Sequence, residues 1–236
     1  MVTQERLDQL WDFADPSASE LRLKDAAREP DEPPESRAEL ETQVARALGL
    51  QSRFEEAGRL LGRIIFDSPP VTTRVLLERG RLLNSSGHPE NAIVYFTSAR
   101  VTASRAGLGF LEVDALHMLA ITDTDNAARW TDEALAVLDR TDDERIRRWA
   151  VALHNNLGWH LHDLHRYDDA LTQFSLAQGA AIRFGSEDQR FRARWAFARC
   201  LRSLGRLDEA LEIQRELAAE RPDDADVSEE LSELGE

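Results

Sequence analysis

The sequence has 236 residues, 42% of them hydrophobic, which is enough apolar material for a continuous core. Its formal net charge of −15 argues against sequence-independent binding of nucleic acid or of an anionic membrane, because both need a cationic surface. A single cysteine, Cys200, excludes an intramolecular disulfide. No early apolar run predicts a signal peptide, and no stretch of about 18 apolar residues predicts a membrane span. We therefore expect a cytoplasmic protein, and no residue pattern indicates a cofactor.

The first 35 residues are predicted to form two short helices and then a break. Apolar side chains within residues 3–13 share one helical face, and a second helix is expected over residues 17–28. Residues 29–35 contain three prolines and four acids, which cannot continue a helix. Ser36 and Glu39 have the spacing of a capping box, so we expect the next helix to open there.

One spacing pattern recurs five times in the region that follows. In each copy an alanine has a small residue twelve positions before it and an apolar residue nine positions before it, as expected where two antiparallel helices cross closely. The intervals between the alanines are 35, 35, 43 and 40 residues, and these anchors are Ala57, Ala92, Ala127, Ala170 and Ala210. Because one hairpin cannot bury its apolar face alone, the period predicts stacked helix hairpins.

The fourth copy carries the most complete pattern and the third the weakest. In the fourth, Gly158 and Ala170 are small where the helices would cross, and Phe174 would fill the wedge beside them. In the third, Asp114 stands where an apolar residue is usual. The turn within each copy is expected five residues before its anchor, and in the fourth copy that residue is His165, which is not turn-favouring.

Further helix boundaries come from capping signals. Thr141, with an acid three residues later, predicts the start of a helix that runs to about Leu164. Ser186 with Gln189 predicts another start in the same way. Residues 223–236 are acidic with spaced apolar side chains, which predicts a C-terminal capping helix or tail.

These residues resemble the tetratricopeptide repeat (TPR), whose signature is small–apolar on the first helix and Ala–aromatic–Ala on the second. The matching residues of the fourth copy are Gly158, Leu161, Tyr167, Ala170, Phe174 and Ala177. The two longer intervals resemble kinesin-light-chain-like repeats. The resemblance implies an all-α, right-handed α-solenoid of about five antiparallel helix hairpins over residues 36–222. Residues 1–35 would then be N-terminal helices with an acidic, proline-rich breaker.

In the TPR family the first helix of each hairpin lines a concave groove, and the resemblance implies where a ligand would bind. Groove positions of this acidic chain are rich in arginine, which binds carboxylates with paired hydrogen bonds, and they include two tryptophans. The predicted groove residues are Arg46, Arg74, Arg81, Asn155, Asn156, Trp159, His162, Arg192, Trp195, Arg199 and Arg202. The alternative is that these arginines pair with neighbouring acids such as Glu78 and Glu112.

Asn155 and Asn156 are also candidates because of the hydrogen bonds that their amides can form. An amide donates and accepts a hydrogen bond at once, which suits the main chain of an extended peptide. The places that match Asn156 in the other copies hold no asparagine, so there is no amide ladder. A structural bond within the helix pair is the alternative role.

A cluster of histidines raises the possibility of a metal site. The four are His154, His160, His162 and His165. Helical geometry opposes the site, because His160 and His162 point in nearly opposite directions and no two histidines are spaced i, i+4. Nucleotide-binding, nucleophile-elbow and metalloprotease motifs are absent from the sequence. A metal-dependent enzyme is therefore the third of our functional hypotheses.

The first hypothesis is a non-catalytic scaffold or adaptor that binds an acidic peptide segment of another protein in the groove. The second is a regulatory sensor that binds a small anionic ligand or a signalling peptide. An open groove would favour the scaffold, and an enclosed pocket around Trp159 and Trp195 would favour the sensor. Self-association is a further expectation, because the exposed ends of a solenoid can stack on each other.

Overall fold

The computed structural model describes residues 2–65 and 67–236, and every regular element in these ranges is a helix. The all-α prediction is therefore confirmed. The chain divides into two compact units, Met1–Asp125 and Asn126–Glu236, which are described separately.

The first unit consists of antiparallel helices packed on their neighbours in the chain. They are α1 (Gln4–Leu10), α2 (Pro16–Arg28), α3 (Pro34–Leu50), α4 (Phe54–Leu61), α5 (Pro69–Ser85), α6 (Pro89–Arg105) and α7 (Gly109–Thr122). The helix α3 packs on α2, α4 and α5, and α6 packs on α5 and α7. Leu7 and Leu23 of the first two helices share a core with Leu40 and Val44 of α3. The N-terminal helices are thus part of this core.

The second unit continues the same alternation. Its helices are α8 (Ala127–Leu138), α9 (Glu144–Arg147), α10 (Trp149–Asp163), α11 (Tyr167–Phe184), α12 (Glu187–Ser203), α13 (Leu207–Glu220) and α14 (Ala225–Glu233). The pairs α10–α11 and α12–α13 are the fourth and fifth predicted hairpins, α11 packs on α12, and α14 packs on α13. The C-terminal segment therefore forms a helix that covers the end of the last hairpin.

Close crossings of the second and fourth hairpins depend on a glycine that faces a phenylalanine. A Cβ on Gly158 would lie 2.6 Å from Cε1 of Phe174, and a Cβ on Gly80 would overlap the ring of Phe96 in the same way. Both rings are fully buried. The first hairpin has alanine, Ala45, at the glycine place, together with a leucine at the phenylalanine place. Larger side chains at the crossing are thus matched by smaller partners.

Turns within four of the hairpins share one geometry. Their turn residues take the left-handed conformation, with φ of +60° at Ser52, +85° at Gly87, +58° at His165 and +75° at Gly205. In each turn the next N–H bonds back to a carbonyl in the helix, as from Arg166 to Leu161 O at 2.9 Å. The geometry is the same although His165 is not a turn-favouring residue. The third copy differs, because Thr122 ends α7 and a 3₁₀ turn, Thr124–Asn126, follows.

The capping signal at Ser36 was wrong about the start of α3. The helix begins two residues earlier, at Pro34, with Pro33 as the N-cap residue. Proline suits the first helical position, because its φ is already helical and its missing N–H has no partner there in any residue. The predicted break is therefore shorter than residues 29–35, and Ser36 lies inside the first turn.

The signal at Thr141 was also wrong, whereas the one at Ser186 is confirmed. Asp143 caps α9 by accepting a hydrogen bond from Arg145 N at 2.8 Å, because its carboxylate lies nearer the helix start than the Thr141 hydroxyl. The helix is then interrupted at Arg148 and resumes as α10. Ser186 and Gln189 exchange both hydrogen bonds of a capping box at the start of α12.

Candidate functional site

In the first unit, two predicted groove arginines are held by buried carboxylates one repeat away. Arg74 of α5 pairs with Glu39 of α3 at 3.0 Å. Arg81 of α5 pairs with Glu78 one turn earlier and with Asp114 of α7, both at 2.5 Å. Although burial alone would lower it, the pKa of Arg81 is raised above its usual value by the carboxylates of Asp114 and Glu78. Asp114, the unusual residue of the third copy, is therefore the partner of Arg81.

Arg46, the third arginine of this unit, makes a different set of contacts. Its guanidinium lies over the rings of Trp11 and Phe13, with centroid distances of 5.6 and 5.3 Å. These two rings stack on each other at 4.8 Å, and Trp11 Nε1 donates to Gln43 Oε1 at 3.2 Å. Burial, and then the nearby Arg81, lower the pKa of Arg46. The segment after α1 thus supplies an aromatic platform that the repeat pattern did not predict.

A cavity of about 220 Å³ opens beside these charges, between α3, α5 and α7. Its lining includes Arg46, Glu78, Arg81, Leu82 and Met118. Glu78 is only 2% exposed, and its Oε2 atom has no hydrogen-bond partner within the described parts of the chain. Burial raises the pKa of Glu78, and the charge of Arg81 opposes that rise. The cavity therefore holds an acceptor for which the described residues supply no donor.

In the second unit, the three predicted groove arginines of α12 are paired with carboxylates of the acidic C-terminal helix and its N-cap. Arg199 bonds to Glu230 of α14 at 3.0 Å, and Arg202 bonds to the same carboxylate at 2.8 Å. Arg192 contacts two aspartates at the start of α14, the closer at 2.8 Å. Glu230 is 4% exposed, so this charge is taken out of solvent as well as paired. An acidic peptide that used these three arginines would first have to displace α14.

The predicted aromatic residues of the second unit come together on α10 and α12. The ring of Trp159 lies 4.9 Å from Phe174 and 5.8 Å from Trp195. His162 approaches Trp159 edge-on at 5.3 Å, and its Nε2 is 2.8 Å from Ser203 Oγ. Burial lowers the pKa of His162, which favours the neutral ring. These three aromatic side chains and His162 form one continuous patch, which we call the α10 aromatic patch.

Asn155 and Asn156 precede this patch on α10 and are half-buried. Neither amide side chain has a hydrogen bond within residues 2–65 and 67–236. Asn155 is one helical turn before Trp159, so its amide lies on the same face of α10 as the tryptophan. Among the predicted polar residues of this unit, the three arginines therefore have carboxylate partners within the chain, whereas the two amides have no hydrogen-bond partner among the described residues.

Two of the remaining histidines of the cluster are bound to separate neighbours. His154 Nδ1 is 2.8 Å from Gln173 Oε1, and His165 Nδ1 is 2.7 Å from the Tyr167 hydroxyl. Over the described residues, no three His, Cys, Asp or Glu side chains are grouped closely enough to hold a metal ion.

No described helix has both the length and the apolar character needed to cross a bilayer.

Another cavity of the second unit, of about 660 Å³, lies between α11, α12 and α13. Its three arginines are already engaged, Arg190 by the Gly185 carbonyl at 2.9 Å. Arg194 pairs with Glu216 and Glu220, and Arg221 pairs with Asp188 while covering the ring of Phe191 at 4.0 Å. This cavity therefore offers a ligand apolar surface but no uncommitted arginine.

No protein-family model and no curated protein matches the sequence. Solved structures do match. BtubC (BKLC) from P. vanneervenii has a TM-score of 0.64 at 16% identity, over 94% of this chain and 92% of that one. A putative kinesin light chain with nearly identical TPR-like repeats, from Podosopora anserina, has a TM-score of 0.60 at 15% identity, over 80% of this chain and 96% of that one.

The chain has the tetratricopeptide-repeat fold. A signal transduction ATPase with numerous domains and a TPR sensor, from Pyrococcus horikoshii, is also similar, with a TM-score of 0.71 at 14% identity. The match covers 93% of this chain but only 36% of that one. At these identities the matches show the TPR fold alone, which is the fold that the resemblance of the sequence implied.

Arginine–acid pairing was the alternative predicted from the sequence, and Arg81 does pair with Glu78, but the aromatic platform and the ion pairs between repeats were missed. The aromatic platform of Trp11 and Phe13 lies outside the TPR pattern, so nothing in that pattern pointed to it. The ion pairs had a signal: Glu39 and Arg74 are 35 residues apart, the interval between the first two anchors. Residues one period apart on first helices stand side by side, so an acid facing an arginine could have been found by searching at that offset.

Proposed function

We propose that the chain is a non-catalytic TPR module that holds an extended peptide segment of another protein against α10 and α12. The observation that carries the proposal is the pair of uncommitted amides, Asn155 and Asn156, beside Trp159. Amides of this kind can bond both N–H and C=O groups of a peptide main chain, and tryptophan supplies contact area at low entropic cost.

The preference of this site for an acidic segment depends on α14. Arg192, Arg199 and Arg202 are its only source of positive charge among the predicted residues of the second unit, and each has carboxylate partners in the chain. An acidic segment could pair with these arginines only by displacing Glu230 and the neighbouring carboxylates from them. We therefore propose recognition of the peptide main chain and of apolar side chains, with acidic binding as a competing mode that displaces α14.

Selection from a phage library of random twelve-residue peptides tests this proposal. We expect enriched peptides to bind the wild-type chain and to lose at least about tenfold in affinity for an Asn155→Ala/Asn156→Ala variant, because two main-chain contacts are removed. Asn91→Ala, at an exposed asparagine of α6, is the matched control and should bind as the wild type does. Enriched peptides that bind all three proteins equally would contradict the proposal, as would a library that yields none.

A second candidate function, the sensing of a small ligand, is favoured by the charged cavity of the first unit. That cavity is separate from the α10 aromatic patch, since α3, α5 and α7 supply its lining. It holds a buried acceptor without a described donor, which the groove hypothesis does not use.

A further inference from the structure

The cavity between α3, α5 and α7 is surrounded by charges that balance. Two guanidiniums, of Arg46 and Arg81, stand against two carboxylates, of Glu78 and Asp114. Arg81 donates a hydrogen bond to one oxygen of each carboxylate, so both of its terminal nitrogens already have partners. Arg46 forms no ion pair with a carboxylate of the described residues, and Glu78 keeps Oε2 without a donor. One positive and one negative group therefore remain available at the same cavity.

A buried carboxylate oxygen without a donor is costly, because it has given up its hydrogen bonds to water. Folded proteins satisfy most such atoms with the chain itself, with water or with a ligand. Here the atom belongs to a side chain that is 2% exposed and that lines the cavity. An occupant of this cavity is therefore the candidate donor for Glu78.

Arg46 is prepared for an anionic group. The guanidinium lies within 5.6 Å of the Trp11 and Phe13 ring centroids, so cation–π contacts help to hold it in place. A guanidinium can bind a carboxylate with two hydrogen bonds. The side chain that faces the cavity from α3 thus matches a carboxylate.

The rest of the cavity is small and mostly apolar, with Asn84 and Ser85 as its other polar residues. Leu50, Leu82 and Met118 lie in its wall, and Gly49 leaves α3 without a side chain at this point. Its volume of about 220 Å³ is below the range of about 300–1,000 Å³ usual for drug-sized ligands. A small molecule with a short apolar side chain fits these walls.

We propose that this cavity binds a free α-amino acid with an apolar side chain, in its zwitterionic form. The ammonium group donates to Glu78 Oε2, the carboxylate accepts from Arg46, and the side chain packs against Leu82 and Met118. Because the four protein charges already balance, a zwitterion leaves the buried site neutral. A bare carboxylate or a bare amine would leave one buried charge unpaired, which is strongly unfavourable. The inference deepens the second candidate function and is independent of peptide binding by α10.

Isothermal titration calorimetry on the full chain tests the inference. The probes are L-leucine and L-methionine, with 4-methylpentanoate and 3-methylbutan-1-amine as leucine analogues that lack the ammonium or the carboxylate. We expect 1:1 binding of at least one amino acid, with both analogues weaker by roughly thirtyfold or more, because each leaves a buried polar group unpaired. An analogue that binds as tightly as leucine would overturn the inference. So would the absence of a binding heat with every probe, which would mean that water alone fills the cavity.

Two variants locate the site. Glu78→Gln and Arg46→Met should each weaken amino-acid binding by at least about tenfold, because each removes one charged contact. Matched controls are Glu212→Gln and Arg79→Met, both at exposed positions, which should bind as the wild type does. Arg46 forms no direct ion pair with a carboxylate of the described residues, so Arg46→Met breaks none and keeps the test decisive if Glu78→Gln fails to fold. Unchanged binding by a folded Arg46→Met variant would overturn the assignment. Variants that lose amino-acid binding should still bind the phage-selected peptides, so one proposal can be contradicted without the other.

Discussion

The second and fourth hairpins share one crossing and differ in what they place beside it. Gly80 faces Phe96 in the first unit, and Gly158 faces Phe174 in the second, with the same close approach. The next residue on the first helix is Arg81 in one unit and Trp159 in the other. Arg81 is held by two buried carboxylates, whereas Trp159 is held by aromatic rings. The crossing thus fixes where this side chain stands, and the chemistry at that place varies independently.

The difference predicts that the two units depend on different forces. The first unit buries ion pairs directly beside its crossing, where the loss of one partner is strongly destabilising. The second unit has its buried carboxylate, Glu230, between α12 and α14, and the space beside its crossing is filled with rings. Removing one charge should therefore harm the first unit far more than removing one ion pair from an exposed surface.

The largest expected effect is that of Asp114→Ala. It removes a 6%-exposed carboxylate and leaves the Arg81 guanidinium buried with one partner, so we expect a loss of about 3–5 kcal/mol in the free energy of unfolding. Urea denaturation followed by far-UV circular dichroism measures this loss. Glu209→Ala, which breaks an exposed pair with Arg206, is the control and should change stability little. Similar effects of the two substitutions would mean that the buried pairs have no special weight.

The next effect is a pH dependence set by His117 of α7. Burial lowers the pKa of this ring to about 4, so the folded state keeps it neutral where the unfolded state, with a pKa near 6.5, takes up a proton. The contribution of His117 to the free energy of unfolding is therefore fully present above pH 6.5. It falls as the pH drops toward 4, by up to about 1.4 kcal/mol per pH unit.

The variant His117→Gln should flatten this slope when unfolding is measured at several pH values. His162→Gln is the matched variant in the second unit and should change the slope less, because burial lowers the pKa of His162 by a smaller amount. A slope that is unaffected by His117→Gln would show that carboxylates alone set the acid sensitivity.

The shared crossing itself can be broken by one methyl group. Gly158→Ala places a Cβ against the buried Phe174 ring and should destabilise by about 1–3 kcal/mol. Phe174→Leu in the same chain should recover part of the loss, because it recreates the alanine–leucine combination of the first hairpin. Gly179→Ala, where the nearest atom to a new Cβ is 4.0 Å away, should instead stabilise by roughly 0.5–1 kcal/mol. The same sign at both glycines would show that the crossing is not closely packed.

The smallest effect is expected at the turns, where the two units are alike. Ser52 and His165 occupy the left-handed region that glycine adopts without steric cost. Ser52→Gly and His165→Gly should each change the unfolding free energy by about 1 kcal/mol or less, in the stabilising direction. The gain at His165 should be the smaller one, because that ring also bonds to Tyr167. Thermal melts of both variants measure the change, and a marked loss at either turn would contradict this interpretation.

These comparisons also separate what the sequence could predict from what it could not. The anchoring alanines, Gly158 and Phe174 follow from spacing within one hairpin, and local spacing is what a single sequence displays best. The break at Arg148 and the start at Pro34 depend on competition between caps, which a motif match does not weigh. The pairing of Arg199 with Glu230 depends on which helix covers the end of the repeat array, and spacing within a hairpin carries no such information.

The central functional claim is that a peptide lies on α10 and α12. Amide hydrogen exchange of the full chain, with and without a phage-selected peptide, tests it most directly. The account predicts slower exchange over Trp149–Asp163 and Glu187–Ser203 when the peptide is bound, and no such change in the Asn155→Ala/Asn156→Ala variant at the same peptide concentration. Protection confined to other helices, or unaltered in that variant, would contradict it.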